Sequence, residues 1–413
     1  MLLRFILVIF LLFSFHFKGK AQHSFLSVQD ALNLAINNNP ELNRMAEQVR
    51  ILEAMPGPAW GIESPELYYL REGMDGNMFM EQRWGISQSL TFPLTGFYQN
   101  RKARKDISAA EMRYQFERVS VRTQVKKAYT ELAYAIKNME LTEIEVQLAN
   151  NLLEIAQARL DVGESTGLDL VQSEIRLNQA KNDLRNAVQM KNSARNSLMR
   201  IIGIHSENQV YEIIFTDTLA YVDTEIDRHL ILQRIEISPE LNYVRLNSES
   251  AKADVQVSKS RYLPDLRIDY YRQNFGNSYD FNGFEVGVSI PLWFTVNERN
   301  RVKQANAIYR QAEWQEAGVL LSIKEQAENA FHRYQTSREI ILSHREFIQE
   351  KSEYLLELTQ EGYRMGELDL LRVLEAQRTY LEGQQLYYQV LRNYYLDIIE
   401  LEQFLPQELV FTQ

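Results

Sequence analysis

Two stretches that are almost free of glycine and proline dominate the chain. The first, Phe97–Val162, runs for 66 residues without either, and the second, Val296–Glu361, has a similar length and is interrupted only by Gly318. Because an α-helix rises about 1.5 Å per residue, the first stretch alone makes a helix of roughly 100 Å. A compact domain does not hold such helices, so the pattern predicts a coiled coil or a helical tube. Apolar residues recur every three or four positions among many polar ones. This pattern indicates that both the outer and the inner face of the tube are exposed to water.

Each long stretch ends in a phrase that predicts a helical hairpin. The phrases are RLDVGESTGLDLVQSEIRL (159–177) and YRMGELDLLRVLEAQRTYL (363–381). A glycine allows the left-handed turn that ends one helix, and a residue three positions later caps the next. A glutamate after each glycine places a charge beside the turn. The turn residues are Gly163, Glu164 and Thr166 in the first phrase, and Gly366, Glu367 and Asp369 in the second.

The chain also repeats itself with an offset of about 200 residues. Four pairs of landmarks keep their order: Pro40 and Pro239, Pro65 and Pro264, Pro93 and Pro291, Gly163 and Gly366. Each half contains a helix, two strands and a long hairpin, which predicts an internal duplication. The expected units are a first repeat over 22–204, a link over 205–225, a second repeat over 226–405 and a C-terminal tail over 406–413.

The opening helix of each repeat has its own signals. In the first repeat, Ser27 is an N-cap with Asp30 three residues later, an acidic variant of the capping box. The matching helix of the second repeat is expected around Ile231–Ser260.

Four segments alternate apolar with small or polar residues, which predicts a sheet with one face exposed to water. They are Pro65–Arg71, Phe79–Phe92, Pro264–Arg272 and Phe284–Phe294. About 9–11 tilted residues cross a bilayer as a strand, and aromatic residues gather at the strand ends, as at a membrane interface. A sandwich strand packed on the protein's own core is the alternative. The candidate lipid-facing positions are Trp84, Ile86, Leu90, Phe92, Leu266, Ile268, Tyr270, Phe284, Val286, Val288 and Ile290.

A sheet of four strands has two open edges, and open edges do not face lipid. If these strands lie in a membrane, several protomers therefore have to close one barrel between them.

The N-terminus predicts a secretory signal peptide over residues 1–21. Arg4 precedes an apolar core, Phe5–Phe15, and Gly19 and Ala21 place small residues before a cut after Ala21. The core is shorter than the ~20 residues of a transmembrane helix, although a retained anchor helix is an alternative. The mature chain is expected to be exported.

Composition excludes several classes of function. The net charge of −10, with RKARK (101–105) as the only dense basic run, argues against nucleic acid, so that run is expected to be a solvated face or a membrane-proximal patch. The absence of cysteine excludes disulfides, thiolate metal sites, cysteine nucleophiles and lipid attachment through cysteine. The histidines have no metal-ligand spacing, and no nucleotide or hydrolase motif occurs. We therefore assign no catalytic residue, metal ligand or cofactor, and expect a protein that is not an enzyme.

At this point the sequence resembles the TolC family of outer-membrane efflux channels. The resemblance is carried by SVQDALNLAINNNPEL near the N-terminus, by SIPLWF at a strand end and by the paired hairpin phrases. It covers nearly the whole mature chain. The expected fold class is mostly α with a small β part.

The resemblance implies a homotrimer in the outer membrane of a Gram-negative bacterium. Four strands from each protomer would close a twelve-stranded barrel in lipid, and the helices would form a tunnel through the periplasm. The link and the C-terminal tail would form an equatorial region. The hairpin turns would sit at the periplasmic tip, open like an iris and dock a periplasmic adaptor protein (a membrane fusion protein) of an inner-membrane pump. Transport through such a duct is passive.

The tip departs from the common pattern of the family in two places. Glutamate follows each turn glycine where many members carry an apolar residue, and Arg372 stands at the position that matches Asp169. We hypothesise that Asp169 and Arg372 form salt bridges that hold the iris shut, so Arg372→Ala should raise the resting conductance. Two solvated surface charges are the alternative.

The phrase GELDLLRVLEAQRTYLE looks like the heavy-metal branch, which pairs with resistance-nodulation-division pumps. Metal cations are therefore the expected cargo, with drug efflux and type I protein secretion as alternatives. Two functions of other classes also remain open: a periplasmic coiled-coil adaptor and a structural tether.

Overall fold

The computed structural model of the chain describes residues 24–55, 63–73, 79–204, 211–212, 219–276, 280–290, 292–293, 296–405 and 409. The predicted signal peptide, most of the predicted link and most of the C-terminal tail lie outside the described residues. In this numbering the helices are α1 (Val28–Asn38), α2 (Pro40–Ala54), α3 (Pro93–Asp161), α4 (Gly167–Ile201), α5 (Arg228–Ile235), α6 (Pro239–Ser260), α7 (Asn297–Arg364) and α8 (Leu370–Leu401). The strands are β1 (Ser24–Phe25), β2 (Glu66–Glu72), β3 (Glu81–Leu90), β4 (Tyr211–Glu212), β5 (Asp265–Asn274) and β6 (Asp280–Ser289).

The two long helices form as predicted, with 69 residues in α3 and 68 in α7. Helix α3 begins at Pro93, four residues before the glycine- and proline-free stretch, because proline is well tolerated in the first turn of a helix. Gly318 lies inside α7 without ending it. The capping box of α1 is confirmed: the Ser27 hydroxyl accepts from the Asp30 N–H at 3.1 Å, and the Ser27 N–H donates to the Asp30 carboxylate at 3.3 Å.

The prediction of one helix around Ile231–Ser260 is wrong in one respect, because this segment forms two helices, α5 and α6. The first half shows the same break between α1 and α2. Both breaks precede a proline, and the residue before each proline is extended, with ψ of 122° at Asn39 and 145° at Ser238. Proline disfavours the helical region for the residue before it, which separates the helices.

The last strand also differs from its prediction, because it begins at Asp280 rather than Phe284 and ends at Ser289 rather than Phe294. Pairing with β5 continues up to Asn274 opposite Asp280, where the Arg272 side chain forms an ion pair with Asp280. Pro291, just past the end, has no N–H to donate to a ladder. The other three strands match their predicted ranges within two residues.

Each long helix packs first on α6 and then on its own hairpin partner. In α3, Lys105 pairs with Glu249 of α6 at 2.5 Å, and further along Glu145 pairs with Arg176 of α4 at 2.6 Å. In α7, Glu316 pairs with Arg245 of α6 at 3.2 Å. Helix α6 therefore lies between the two long helices and joins the two halves.

Each half has a hydrophobic core where its short helices cover the middle of a hairpin. The first core joins α1, α3 and α4, and the second joins α5, α7 and α8. Fully buried members include Leu32, Val125 and Leu198 in the first core and Ile235, Leu391 and Tyr394 in the second.

Asn39 is predicted to contribute more stability than Ser238, its counterpart in the second half. The Asn39 side-chain oxygen Oδ1 accepts from the N–H groups of Glu41 and Leu42, and its side-chain Nδ2 donates to the Ile201 carbonyl at 2.8 Å. We expect Asn39→Ala to cost about 2–3 kcal/mol, because it removes a cap and leaves a buried carbonyl unpaired. Ser238→Ala removes only a cap and should cost about 1 kcal/mol. Urea unfolding in detergent measures both, and equal losses would contradict the ranking.

Candidate functional site

The first hairpin turn has the predicted geometry. Gly163 has a φ of 78°, in the left-handed region that glycine enters without strain. The Glu164 N–H donates to the Arg159 carbonyl at 2.8 Å, which closes the end of α3. Thr166 is the N-cap of α4, and its hydroxyl accepts from the Asp169 N–H at 3.4 Å. The glycine-turn and cap prediction is therefore confirmed for this phrase.

The second turn repeats this arrangement. Gly366 has a φ of 80°, and the Glu367 N–H donates to the Gly362 carbonyl at 2.9 Å. Asp369 is the N-cap of α8, and its carboxylate accepts from the Arg372 N–H at 3.0 Å. The side chains of Glu164 and Glu367 are exposed beside their turns.

The two turns lie side by side, and Arg159 joins them. Its guanidinium donates to the Tyr363 carbonyl at 2.9 Å and to the Glu164 carbonyl at 3.1 Å. It also lies over the Tyr363 ring, 4.7 Å from the centroid. One side chain of the first hairpin thus holds the ends of both α3 and α7. This contact was not predicted, because no local sequence pattern marks a partner 204 residues away.

A small apolar cluster supports this contact from behind. Leu152 of α3 packs with Tyr363, Leu370 and Val373 of the second hairpin. Tyr363 is only 1% exposed, and burial raises the pKa of its phenol. The hairpins of one protomer are therefore packed together at the turns.

The predicted Asp169–Arg372 salt bridge does not occur within the described part of one protomer. The Asp169 carboxylate accepts instead from the Ser165 hydroxyl at 2.7 Å. The Arg372 side chain is exposed. A salt bridge between Asp169 of one protomer and Arg372 of a neighbouring protomer stays a prediction.

Apolar side chains that were not predicted as site residues are exposed at the turns. They are Val162 at 71%, Leu168 at 64%, Met365 at 66% and Leu371 at 71% exposure. Farther from the turns, a groove of about 580 Å³ lies between the hairpins, lined among others by Leu141, Arg176 and Leu374. The turn region therefore offers apolar surface beside its two glutamates.

The sheet joins the two halves edge to edge in the order β2–β3–β5–β6, with all neighbours antiparallel. Pairing of β3 with β5 forms the seam between the halves. The outer edges, those of β2 and β6, have no strand beside them in the described part of one protomer.

The register places the predicted lipid-facing positions within the strands on one face. One row across the sheet reads Leu67, Ile86, Tyr270 and Phe284, and another reads Leu90, Leu266 and Val288. Ile268 pairs with Val286 on the same face, and Trp84 is 52% exposed on it. Phe92 and Ile290 lie just past the strand ends. That these positions contact lipid stays a prediction.

The opposite face is polar. Arg83 contacts Glu81 at 3.3 Å and Gln273 at 3.1 Å, and Arg267 contacts Asp269 at 3.0 Å. A row of alternating tyrosine and glycine crosses this face: Tyr68, Gly85, Tyr271 and Gly283. The tyrosine side chains occupy the space that the glycines leave free.

Two features are absent from the described residues. None of the helices there is long and apolar enough to cross a membrane. In the same ranges, histidine and carboxylate side chains form no group of three or more that suits a metal ion.

Comparison with known proteins identifies the family. The family described as outer membrane efflux protein matches residues 31–204 and again residues 230–406. The chain is 23% identical over 317 residues to the outer membrane protein TolC of Vibrio cholerae, covering 73% of this chain and 71% of that one. It is 24% identical over 384 residues to the cobalt-zinc-cadmium resistance protein CzcC of Cupriavidus metallidurans, covering 90% and 87%. The fold is that of the Campylobacter jejuni CmeC outer membrane channel, with a TM-score of 0.78 and 16% identity over 91% of this chain and 84% of that one. The chain therefore belongs to the outer membrane efflux protein family, the TolC-like channels of the outer membrane.

Proposed function

We propose that this protein is the passive outer-membrane exit duct of a tripartite efflux pump. Three copies close one twelve-stranded barrel from four strands each, and their helices form a tunnel across the periplasm. The observation that carries the proposal is the sheet, which has one apolar face and two edges without a partner strand in the described protomer. Edges of this kind need a partner in lipid, and neighbouring protomers supply one. The double match to the family supports an internal duplication behind the paired hairpins.

The mass of the protein extracted by detergent from the outer-membrane fraction tests this proposal. Light scattering should give three copies per particle, and the same particles should form pores in a planar bilayer. A monomer, or protein recovered from the soluble periplasm, would contradict the duct and favour the adaptor or the tether.

We further propose that the turns dock a periplasmic adaptor and thereby an inner-membrane pump of the resistance-nodulation-division type. The exposed Val162, Leu168, Met365 and Leu371 side chains support this, because apolar surface that is free in one chain suits a partner protein. Three protomers with two turns each present six similar docking points. Cross-linking from a cysteine placed at Leu168 should capture one periplasmic protein in living cells, and a cysteine at Lys181, an exposed α4 residue more than three turns away, is the control.

Metal cations are the proposed cargo, supported by the similarity to the cobalt-zinc-cadmium resistance protein over most of both chains. Deleting the gene should lower the zinc, cobalt or cadmium concentration that stops growth. If only sensitivity to drugs changes, or only secretion of a protein, drug efflux or protein secretion is favoured instead.

Arg159 is predicted to keep the tip closed at rest. Arg159→Ala removes the contacts to Tyr363 and Glu164, so the two hairpins should separate more easily. We expect the resting single-channel conductance to rise at least about twofold, because losing charge-assisted hydrogen bonds of about 1.5–3 kcal/mol shifts a closed–open equilibrium markedly.

Arg364→Ala is the matched control. Arg364 lies one residue from Tyr363, is exposed and pairs only with Glu361 of its own helix among the described residues, at 3.4 Å. Equal conductance for wild type and Arg159→Ala would contradict the role of Arg159.

A further inference from the structure

Exposed cations gather where the helices meet the sheet. We call six of them the basic collar: Arg101 and Arg104 of α3, Lys259 and Arg261 at the end of α6, and Arg299 and Lys303 of α7. Each group is close in sequence to a strand end, since β3 ends at Leu90, β5 begins at Asp265 and β6 ends at Ser289. Nothing in the proposed transport path uses these residues.

The collar cations are free to bind an outside anion. Within the described residues, none of the six forms an ion pair. Their neighbours Lys102, Lys105 and Arg301 are engaged, by Asp106 at 2.9 Å, Glu249 at 2.5 Å and Glu298 at 3.4 Å. Asp254 also lies near Lys102, at 4.0 Å, and Asp265 at the start of β5 accepts from the Phe92 N–H. This positive zone occurs in a chain whose net charge is −10.

Apolar surface accompanies the charge. Phe97 of α3 is 60% exposed and lies one turn before Arg101 and two turns before Arg104 on the same side of the helix. Together they line an open recess of about 450 Å³. Leu292 and Trp293, between β6 and α7, are each 76% exposed. An aromatic ring followed by cations one and two turns later is typical of a helix that meets a membrane surface.

The position of the collar along the helices matches the level at which the apolar face of the sheet ends. Arg101 and Arg104 follow the start of α3 by eight and eleven residues, about 12–16 Å along the helix. Helical side chains tilt towards the helix N-terminus, which for α3 and α7 is the end beside the sheet. Long arginine side chains therefore reach back towards the level at which the apolar face ends.

We propose that the basic collar binds the phosphate groups of anionic phospholipids in the leaflet on the helical side of the membrane. Phe97 and Trp293 contact the upper acyl chains, and the collar fixes the height of the duct in the bilayer. Free phosphate would leave this apolar surface without an occupant, so a lipid fits the site better. The inference rests on the proposed function, since it needs the sheet in a membrane.

Lipid binding by the whole detergent-extracted protein tests the collar. Native mass spectrometry counts the dioleoyl phosphatidylglycerol and dioleoyl phosphatidylcholine molecules that stay bound to wild type and to two variants. The collar variant is R101Q/R104Q. The control is K181Q/R185Q, which alters two exposed cations of α4. We expect wild type and control to prefer phosphatidylglycerol. In the collar variant this preference should fall roughly thirtyfold, because each of the two lost cations contributes about 1 kcal/mol to binding an anionic membrane.

An unchanged preference in the collar variant, or an equal loss in the control, would overturn the collar. A fall in the particle mass of R101Q/R104Q would also overturn it, because it would assign these arginines to a contact with a second copy of the chain. Pore formation in pure phosphatidylcholine bilayers keeps the two proposals separate. If wild type forms pores there, the duct stands whatever the lipid counts show; if it forms none in either lipid, the duct itself fails.

Discussion

Gly85→Ala is expected to prevent assembly of the sheet and to remove the protein from the outer-membrane fraction. A Cβ atom at Gly85 would lie 2.6 Å from the Tyr270 carbonyl oxygen and 2.8 Å from both the Tyr271 Cβ atom and the Tyr68 hydroxyl. The carbonyl belongs to the backbone of β5, so it cannot move without opening the seam between β3 and β5. Overpacking of a tight site costs about 1–3 kcal/mol, and three protomers multiply that cost in one barrel. The fraction of trimer in detergent and the amount in the outer membrane are the measurements.

Gly287→Ala is the control for this prediction. Gly287 lies in β6, where an added Cβ atom would stay 3.8 Å from its nearest neighbour, in Arg267. We expect normal assembly of this variant and a normal helical circular dichroism signal for both. If Gly85→Ala also assembles normally, the row of tyrosine and glycine does not constrain the sheet.

Lys126→Ala is expected to cause the largest loss of stability among single changes in the helical part. The Lys126 ammonium lies 2.7 Å from the Glu402 carboxylate, and the two side chains are only 4% and 9% exposed. Burial lowers the pKa of Lys126, although Glu402 opposes this. Removing one partner of a buried ion pair costs about 3–5 kcal/mol, because the Glu402 carboxylate loses the ammonium that lies 2.7 Å away. Urea unfolding of the detergent-extracted protein measures the loss.

Lys137→Ala supplies the comparison on the same helix. Lys137 pairs with Glu140 at 2.7 Å across one helical turn near the surface, and such pairs contribute about 0–1 kcal/mol. The double variant Lys126→Met with Glu402→Gln should recover much of the lost stability, because neither buried charge remains. A loss for Lys126→Ala no larger than that for Lys137→Ala would show that the pair is hydrated.

The parts of the structure that follow from nearest neighbours along the chain were predictable. The caps at Ser27, Thr166 and Asp369 act within three residues, and the turns at Gly163 and Gly366 depend on a backbone conformation that glycine adopts freely. Alternation along β3, β5 and β6 placed the apolar positions on one face, because successive side chains of a strand point to opposite sides. Helix length, turn position and sheet polarity were therefore determined by the sequence alone.

Contacts between distant parts of the chain were decided only by the tertiary structure. Arg159 meets Tyr363, and Lys126 meets Glu402, across 204 and 276 residues of chain. The start of β6 at Asp280 depends on pairing with Asn274, and the seam depends on β3 meeting β5 of the other half. Local patterns such as caps and alternation act over a few residues and do not specify which distant surface an element will meet. The packing of the two halves decides which distant residue an arginine or lysine meets. It also decides whether that side chain is buried and so becomes a structural contact.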